Sequence, residues 1–123
     1  MAKTILVVDD SGTVRQQVSM ALKQAGFAIV EAADGQEALA AIASNRAIDM
    51  VVCDVNMPNL NGLEMVEKVK SNPEHKALPI LMLTTEGQPS MIRRAKEAGA
   101  VGWIVKPFDA NQLVQTAKHL TKS

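Results

Sequence analysis

Thr4 to Val8 (TILVV) is rich in β-branched residues and shows no polar alternation. A half-exposed strand alternates, whereas such a run fits a strand covered on both faces, as in a parallel sheet. Two carboxylates, Asp9 and Asp10, follow at once. One Asp there is ordinary turn or cap chemistry. Two adjacent like charges repel, and a divalent cation is the simplest use for them. The same kind of run returns at Met50–Cys53, ending in Asp54, and at Pro79–Leu83, ending in Thr84-Thr85. It returns again at Val101–Val105, ending in Lys106-Pro107, and Phe27–Val30 reads as one more strand.

Helical segments lie between these runs. Val14, Val18, Ala21, Leu22 and Ala25 share one helix face, closed by Gly26. Asp34-Gly35 turns into a helix carrying Ala38, Leu39 and Ile42. After the turn-forming loop VNMPNLNG, a helix with Leu63, Val66 and Val69 stops before Asn72-Pro73. Pro89 starts the next, with Ile92 and Ala95 facing inward and Gly99 closing it. Asp109 caps the last, Gln112 completes a capping-box pattern, and Leu113, Val114, Ala117 and Leu120 form its inner face. Strand and helix alternating in this way predict an α/β, doubly wound five-stranded parallel sheet with helices on both faces. Function in such folds gathers outside the carboxyl ends of the strands.

Those ends bring together residues remote in sequence: Asp9 and Asp10, Asp54, Thr84, and Lys106. Each alone has a bland reading, as a turn residue, a β-former or a solvated charge. Each at the end of a different buried run, they predict a site. Three carboxylates in one crevice repel until a cation compensates, and a hard ion such as Mg²⁺ takes oxygen ligands and often shares a phosphate. A carboxylate can then attack phosphorus, with Lys106 and Thr84 offsetting charge on the transferring oxygens.

The motifs VVDDS, DVNMPNLNG, LTTE and GWIVKPF, spread over the whole length, resemble those of response-regulator receiver domains. The resemblance implies a flavodoxin-like (βα)5 fold with strand order 2-1-3-4-5. Asp54 matches the phosphoacceptor. Asp9 and Asp10 match the acid pair that holds Mg²⁺, with Asp10 the more direct ligand and Asn56 offering its backbone carbonyl. Thr84 matches the switch hydroxyl, Lys106 the family lysine, and Lys106-Pro107 the peptide bond that is cis in the family. Asn56 and Glu86 stand where a polar pair goes with fast self-dephosphorylation. Trp103 occupies the aromatic switch position, usually Tyr or Phe. Ile92, Trp103, Val105, Ala110 and Leu113 fall on the face implied to meet a partner.

The implied function is a phosphorylation-dependent switch, fed by a histidine kinase and acting by protein binding, with a flagellar motor switch protein as the preferred target and a phosphatase as a further partner. It would be an enzyme only towards itself, catalysing its own phosphorylation and dephosphorylation. A phosphate sink or phosphorelay intermediate is the alternative within that class. A metal-dependent phosphohydrolase of the haloacid-dehalogenase type also uses an Asp nucleophile, but places it in a D-x-D with a cap domain. A flavodoxin-like electron carrier needs a phosphate-cradling loop after the first strand, where carboxylates stand here.

The chain of 123 residues fits a single receiver domain, 1–123, with no output domain, expected to be a monomer. Thirteen basic residues balance thirteen acidic ones, which argues against nucleic acid as a partner. No apolar stretch approaches the roughly 20 residues of a membrane span, and no signal peptide is visible. Cys53 is the one cysteine, so a cytoplasmic, reducing location is expected. Met20, Met50, Met65 and Met82 read as packing residues. His75 and His119 have no second ligand at metal spacing and receive no role.

Overall fold

The computed structural model describes residues 2–45 and 47–122. The elements run β1 (Thr4–Val8), α1 (Gly12–Gln24), β2 (Ala28–Ala32), α2 (Gly35–Ser44), β3 (Ile48–Cys53) and α3 (Gly62–Lys70). A single 3-10 turn (Pro73–His75), β4 (Ile80–Thr84), α4 (Pro89–Ala98), β5 (Gly102–Val105) and α5 (Ala110–Thr121) follow. The strands are parallel in the order β2-β1-β3-β4-β5. This is the doubly wound, flavodoxin-like (βα)5 fold in the strand order that the resemblance implies. No helix among the described residues is long and apolar enough to cross a membrane.

The missing alternation has the expected cause. Leu6, Val8, Val51, Cys53 and Met82 point into one apolar layer with α2, α3 and Ala95 of α4. Ile5, Val7, Met50, Val52 and Leu83 point into the other, against α1 and α5. Burying one such side chain contributes about 1.5–3 kcal/mol, so both faces drive folding. Met50, Met65 and Met82 belong to these layers. Met20 does not: it is 60% exposed on α1, on the side turned from the sheet.

Several boundaries differ from expectation, each for a local reason. Phe27 is not in a strand. Its amide donates to Leu22 O (3.1 Å) and that of Gly26 to Lys23 O (3.0 Å), a Schellman closure of α1 in which Phe27 and Leu22 share the core. β3 begins at Ile48, two residues early, and skips a register beside Asp49, whose carboxylate accepts from Thr4 N at 2.8 Å. The expected capping box at Asp109 is half made, since Asp109 accepts from the amides of Asn111 and Gln112. The full reciprocal box forms at Asn61 and Glu64 of α3. The 3-10 turn was not anticipated. Lys70 holds it, its ammonium donating to the carbonyls of His75 (3.3 Å), Lys76 (2.8 Å) and Leu78. Partial burial pushes the Lys70 pKa down.

Candidate functional site

Each strand that ends in a polar residue delivers it to the same edge. β1 releases Asp9, whose amide still bonds Ala32 O of β2 (3.1 Å). β3 releases Asp54, whose amide bonds Val8 O of β1 (3.0 Å). These last ladder bonds fix the two backbones side by side. The carboxylates of Asp9, Asp10 and Asp54 consequently each place an oxygen within 4.8 Å of the others. Asp9 and Asp54 are buried and Asp10 is exposed, so the cluster opens to solvent on the Asp10 side. An all-oxygen donor set with one solvent-facing member fits a hard divalent cation that keeps part of its water shell.

Lys106 reaches in from the loop after β5. Its Nζ lies 2.8 Å from Asp9 Oδ2 and 3.6 Å from Asp54 Oδ2. The flanking peptide Lys106-Pro107 is cis. The remaining oxygen of Asp9 accepts from Ser11 N (2.9 Å), and Asp54 Oδ1 accepts from its neighbour Val55 N (2.7 Å). Asp54 Oδ2 is therefore the less engaged oxygen of that carboxylate, facing the lysine and the other acids. Thr84 ends β4 fully buried. Its Oγ1 accepts from Glu86 N (3.3 Å), and its carbonyl accepts from Lys106 N (2.8 Å).

The rim is polar and bonded. Asn56 Nδ2 donates to Glu86 Oε1 (2.9 Å), joining the loops after β3 and β4 across the mouth of the cluster. The Trp103 indole donates from Nε1 to Glu86 O (2.8 Å). Glu86 thus holds a side chain of one loop and the ring of β5 at once. Trp103, Ile92, Ala95, Lys96, Ala100 and Val101 line a surface cavity of about 210 Å³ between α4 and β5.

Of the residues expected on a partner face, Val105 is 47% exposed, Ala110 is exposed, and Ile92 and Trp103 are half-buried. Leu113 is a correction. It is fully buried in the layer between α5 and the sheet, with Ala117 and Leu83, because it falls on the inner stripe of α5.

Some residues that shape the site were not singled out from sequence. Gly62 leaves no room for a side chain: a Cβ there would stand 2.0 Å from Asp54 O. At Gly35 it would stand 2.5 Å from Leu60 O. Asp34 caps α2 through Glu37 N (2.8 Å) and accepts from Asn59 Nδ2 (2.8 Å), tying the β3–α3 loop to α2. The Glu37 amide and then the Asn59 side chain hold the Asp34 carboxyl below its usual range. Arg15 reaches both Asp9 O and Glu31. These depend on close tertiary approach, and the only local hint is the density of turn formers around them.

Cys53 lies beside the cluster with its Sγ 3.1 Å from Asp54 O. Burial first, then the charges of Asp54 and Asp9, pushes its thiol far up, so little thiolate forms. Iodoacetamide is expected to leave native protein unmodified at neutral pH and to alkylate Cys53 fully in guanidinium chloride. Rapid modification of the folded chain would show that this layer is open.

Residues 5–118 match the family model described as the response regulator receiver domain. The chain is 41% identical over 105 residues to the chemotaxis protein CheY1 of Helicobacter pylori, covering 85% of each. It superposes on the chemotaxis protein CheY4 of Vibrio cholerae with a TM-score of 0.91 at 43% identity, covering 98% of this chain and 99% of that one. The beryllofluoride-activated receiver domain of DrrB aligns over 100% of both chains with a TM-score of 0.85 at 27% identity.

Proposed function

The chain belongs to the response regulator receiver family, whose members are phospho-signalling switches, and from that premise we propose that Asp54 accepts a phosphoryl group from a histidine kinase in the presence of Mg²⁺. The observation that carries this is the convergence of three carboxylates and one ammonium at the strand ends. Asp9, Asp10 and Asp54, with the Asn56 backbone carbonyl, would hold the metal, which supplies charge neutralisation for the incoming phosphoryl oxygens. Asp54 Oδ2 is the nucleophile. Lys106, already 3.6 Å away, offers the cation on the protein's own side. Asn56 and Glu86, bonded across the mouth, are the polar pair that orients water for release of the phosphoryl group, so the modified state is short-lived.

The output runs through Thr84 and Trp103. A phosphoryl oxygen on Asp54 offers the Thr84 hydroxyl a charge-assisted bond stronger than a neutral one. Moving Thr84 disturbs the loop whose Glu86 carbonyl anchors the indole. The face of Ile92, Trp103, Val105 and Ala110 then changes shape, and a helical segment of a flagellar motor switch protein is the guest it suits. The chemotaxis names of the relatives favour that guest over a phosphate-sink role. A ligand shifts such an equilibrium only by its differential affinity, so phosphorylation and partner binding strengthen each other by one factor. The chain works as one receiver domain in the cytoplasm, as a monomer.

Trp103 is the sole tryptophan, which makes the test direct. Beryllofluoride with Mg²⁺ is expected to change its emission beyond the change with Mg²⁺ alone, and Thr84→Ala to blunt that difference. An emission spectrum and quencher accessibility identical in both states would sink the Thr84–Trp103 route.

A further inference from the structure

The turn after β1 carries two of the three acids, but the protein holds them unequally. Asp9 is gripped at both carboxylate oxygens, by Lys106 Nζ and Ser11 N. The Asp10 side chain is exposed and makes no hydrogen bond or ion pair among the described residues. With no side-chain partner, its placement depends on the backbone that carries it. The peptide group that leads into Asp10 is planar, so whatever fixes the Asp9 carbonyl fixes the direction in which Asp10 departs. Arg15 fixes it. Nη1 donates to Asp9 O at 2.7 Å, and Nε donates to Glu31 Oε1 at 2.9 Å. Arg15 is itself anchored in the first turn of α1, its amide bonded to Ser11 O at 2.9 Å. One rigid fork thus braces the acid turn against both α1 and the edge strand β2. Glu31 opposes the guanidinium charge, which leaves the fork mainly a geometric device at the cluster.

We propose that Arg15 is a positioning residue for the cation site: it holds the Asp9–Asp10 peptide so that the Asp10 carboxylate stands beside those of Asp9 and Asp54. This rests on the reading of the three acids as the Mg²⁺ site. The consequence is selective. Mg²⁺ demands near-octahedral geometry at short distances, whereas Ca²⁺ tolerates irregular and larger shells. Loosening Asp10 therefore penalises Mg²⁺ more than Ca²⁺. A change of local charge weakens or strengthens both alike.

Calorimetric titration of Mg²⁺ and of Ca²⁺ into the intact chain separates these effects, with far-UV spectra confirming that each variant is folded. Arg15→Ala is expected to weaken Mg²⁺ binding about tenfold and Ca²⁺ about twofold, as the loss of one charge-assisted bond allows. Arg15→Lys keeps the charge but lacks the planar fork, so the preference for Mg²⁺ should fall nearly as far. It also carries the test should Arg15→Ala not fold. Glu31→Gln keeps an acceptor for Nε and uncovers the guanidinium charge, so both ions should weaken by one common factor of about two. Equal changes for both ions in Arg15→Ala and Arg15→Lys, or none, would overturn the proposal while Asp10→Asn still abolished binding. If the unmodified chain binds no Mg²⁺, the cation-site reading fails first and the positioning role with it.

Discussion

Asp54→Asn is expected to reduce phosphoryl incorporation from acetyl phosphate and Mg²⁺ to background. In the proposed reaction the carboxylate is the attacking group, and an amide oxygen carries no full charge with which to attack phosphorus. The neighbours cannot take over. Asp9 is engaged at both oxygens by Lys106 and Ser11, and Asp10 is exposed at the mouth of the cluster rather than beside the ammonium. A fall of at least about a thousandfold, equivalent to about 4 kcal/mol in the barrier, is the expected size. Intact-mass spectrometry with a hydroxylamine control reads it, because an acyl phosphate is cleaved by hydroxylamine. An undiminished label in the variant, or one that resists hydroxylamine, would remove Asp54 from the role of acceptor. The near-isosteric exchange should keep the fold, since Asn still offers an oxygen to Val55 N in the place of Asp54 Oδ1.

Gly62→Ala should do the reverse, damaging the fold and the site together. The new methyl would lie 2.0 Å from Asp54 O and 2.9 Å from Asp54 C, both backbone atoms that cannot rotate aside. Gly62 N also bonds Val55 O at 2.9 Å, so α3 cannot back away without losing that bond. Either α3 shifts outward, opening the apolar layer that holds Leu63 and Val66, or the Asp54 peptide is pushed out of β3. Overpacking of this kind costs about 3 kcal/mol or more when the obstacle is main chain. Urea unfolding should show the loss, and cation binding should fall even in the fraction still folded. A variant of unchanged stability would mean that the approach of α3 to Asp54 is looser than the geometry implies. Gly12→Ala is the matched control: the new methyl would make only ordinary van der Waals contact, 3.9 Å from Arg15 Nη2.

The sequence made the sheet readable because burial on both faces removes polar alternation, and Thr4–Val8 and Met50–Cys53 carry that mark plainly. The candidate site was readable for a related reason: in a parallel sheet every strand ends on the same side, so Asp9, Asp54 and Thr84 had to meet. Lys106 was placed by the same rule, one residue past β5. Positions decided by long-range approach were not readable. Nothing local distinguishes Arg15 from the other basic residues on helix faces, or Gly62 from a glycine of simple turn geometry. Leu113 was assigned outward on grounds of resemblance although its own spacing with Ala117 and Leu120 points inward, and the structure follows the spacing. Phe27 looked like strand because an aromatic residue before Ala28-Ile29-Val30 extends the apolar run. The Schellman closure of α1 claims it instead.

The unequal anchoring of the strands sets how fast different parts of the chain give up their amide protons. β1 and β3 have interior places in the sheet, and nearly every side chain they carry is buried. Their amides should exchange with deuterium only through global unfolding. β5 has four residues and none fully buried, and in α4 Ala95 alone is buried. That corner gives one apolar layer Ala95 with the partly buried Met91, Ala98 and Trp103, and the other only Ile104, so it can open locally at small cost and its protons should leave orders of magnitude sooner. The molecule thus keeps a slow clock in the strands that hold the acids and a fast one in the elements around Trp103. Any modification at the acids that reaches this corner should appear as a change in the fast clock while the slow one runs on unaltered.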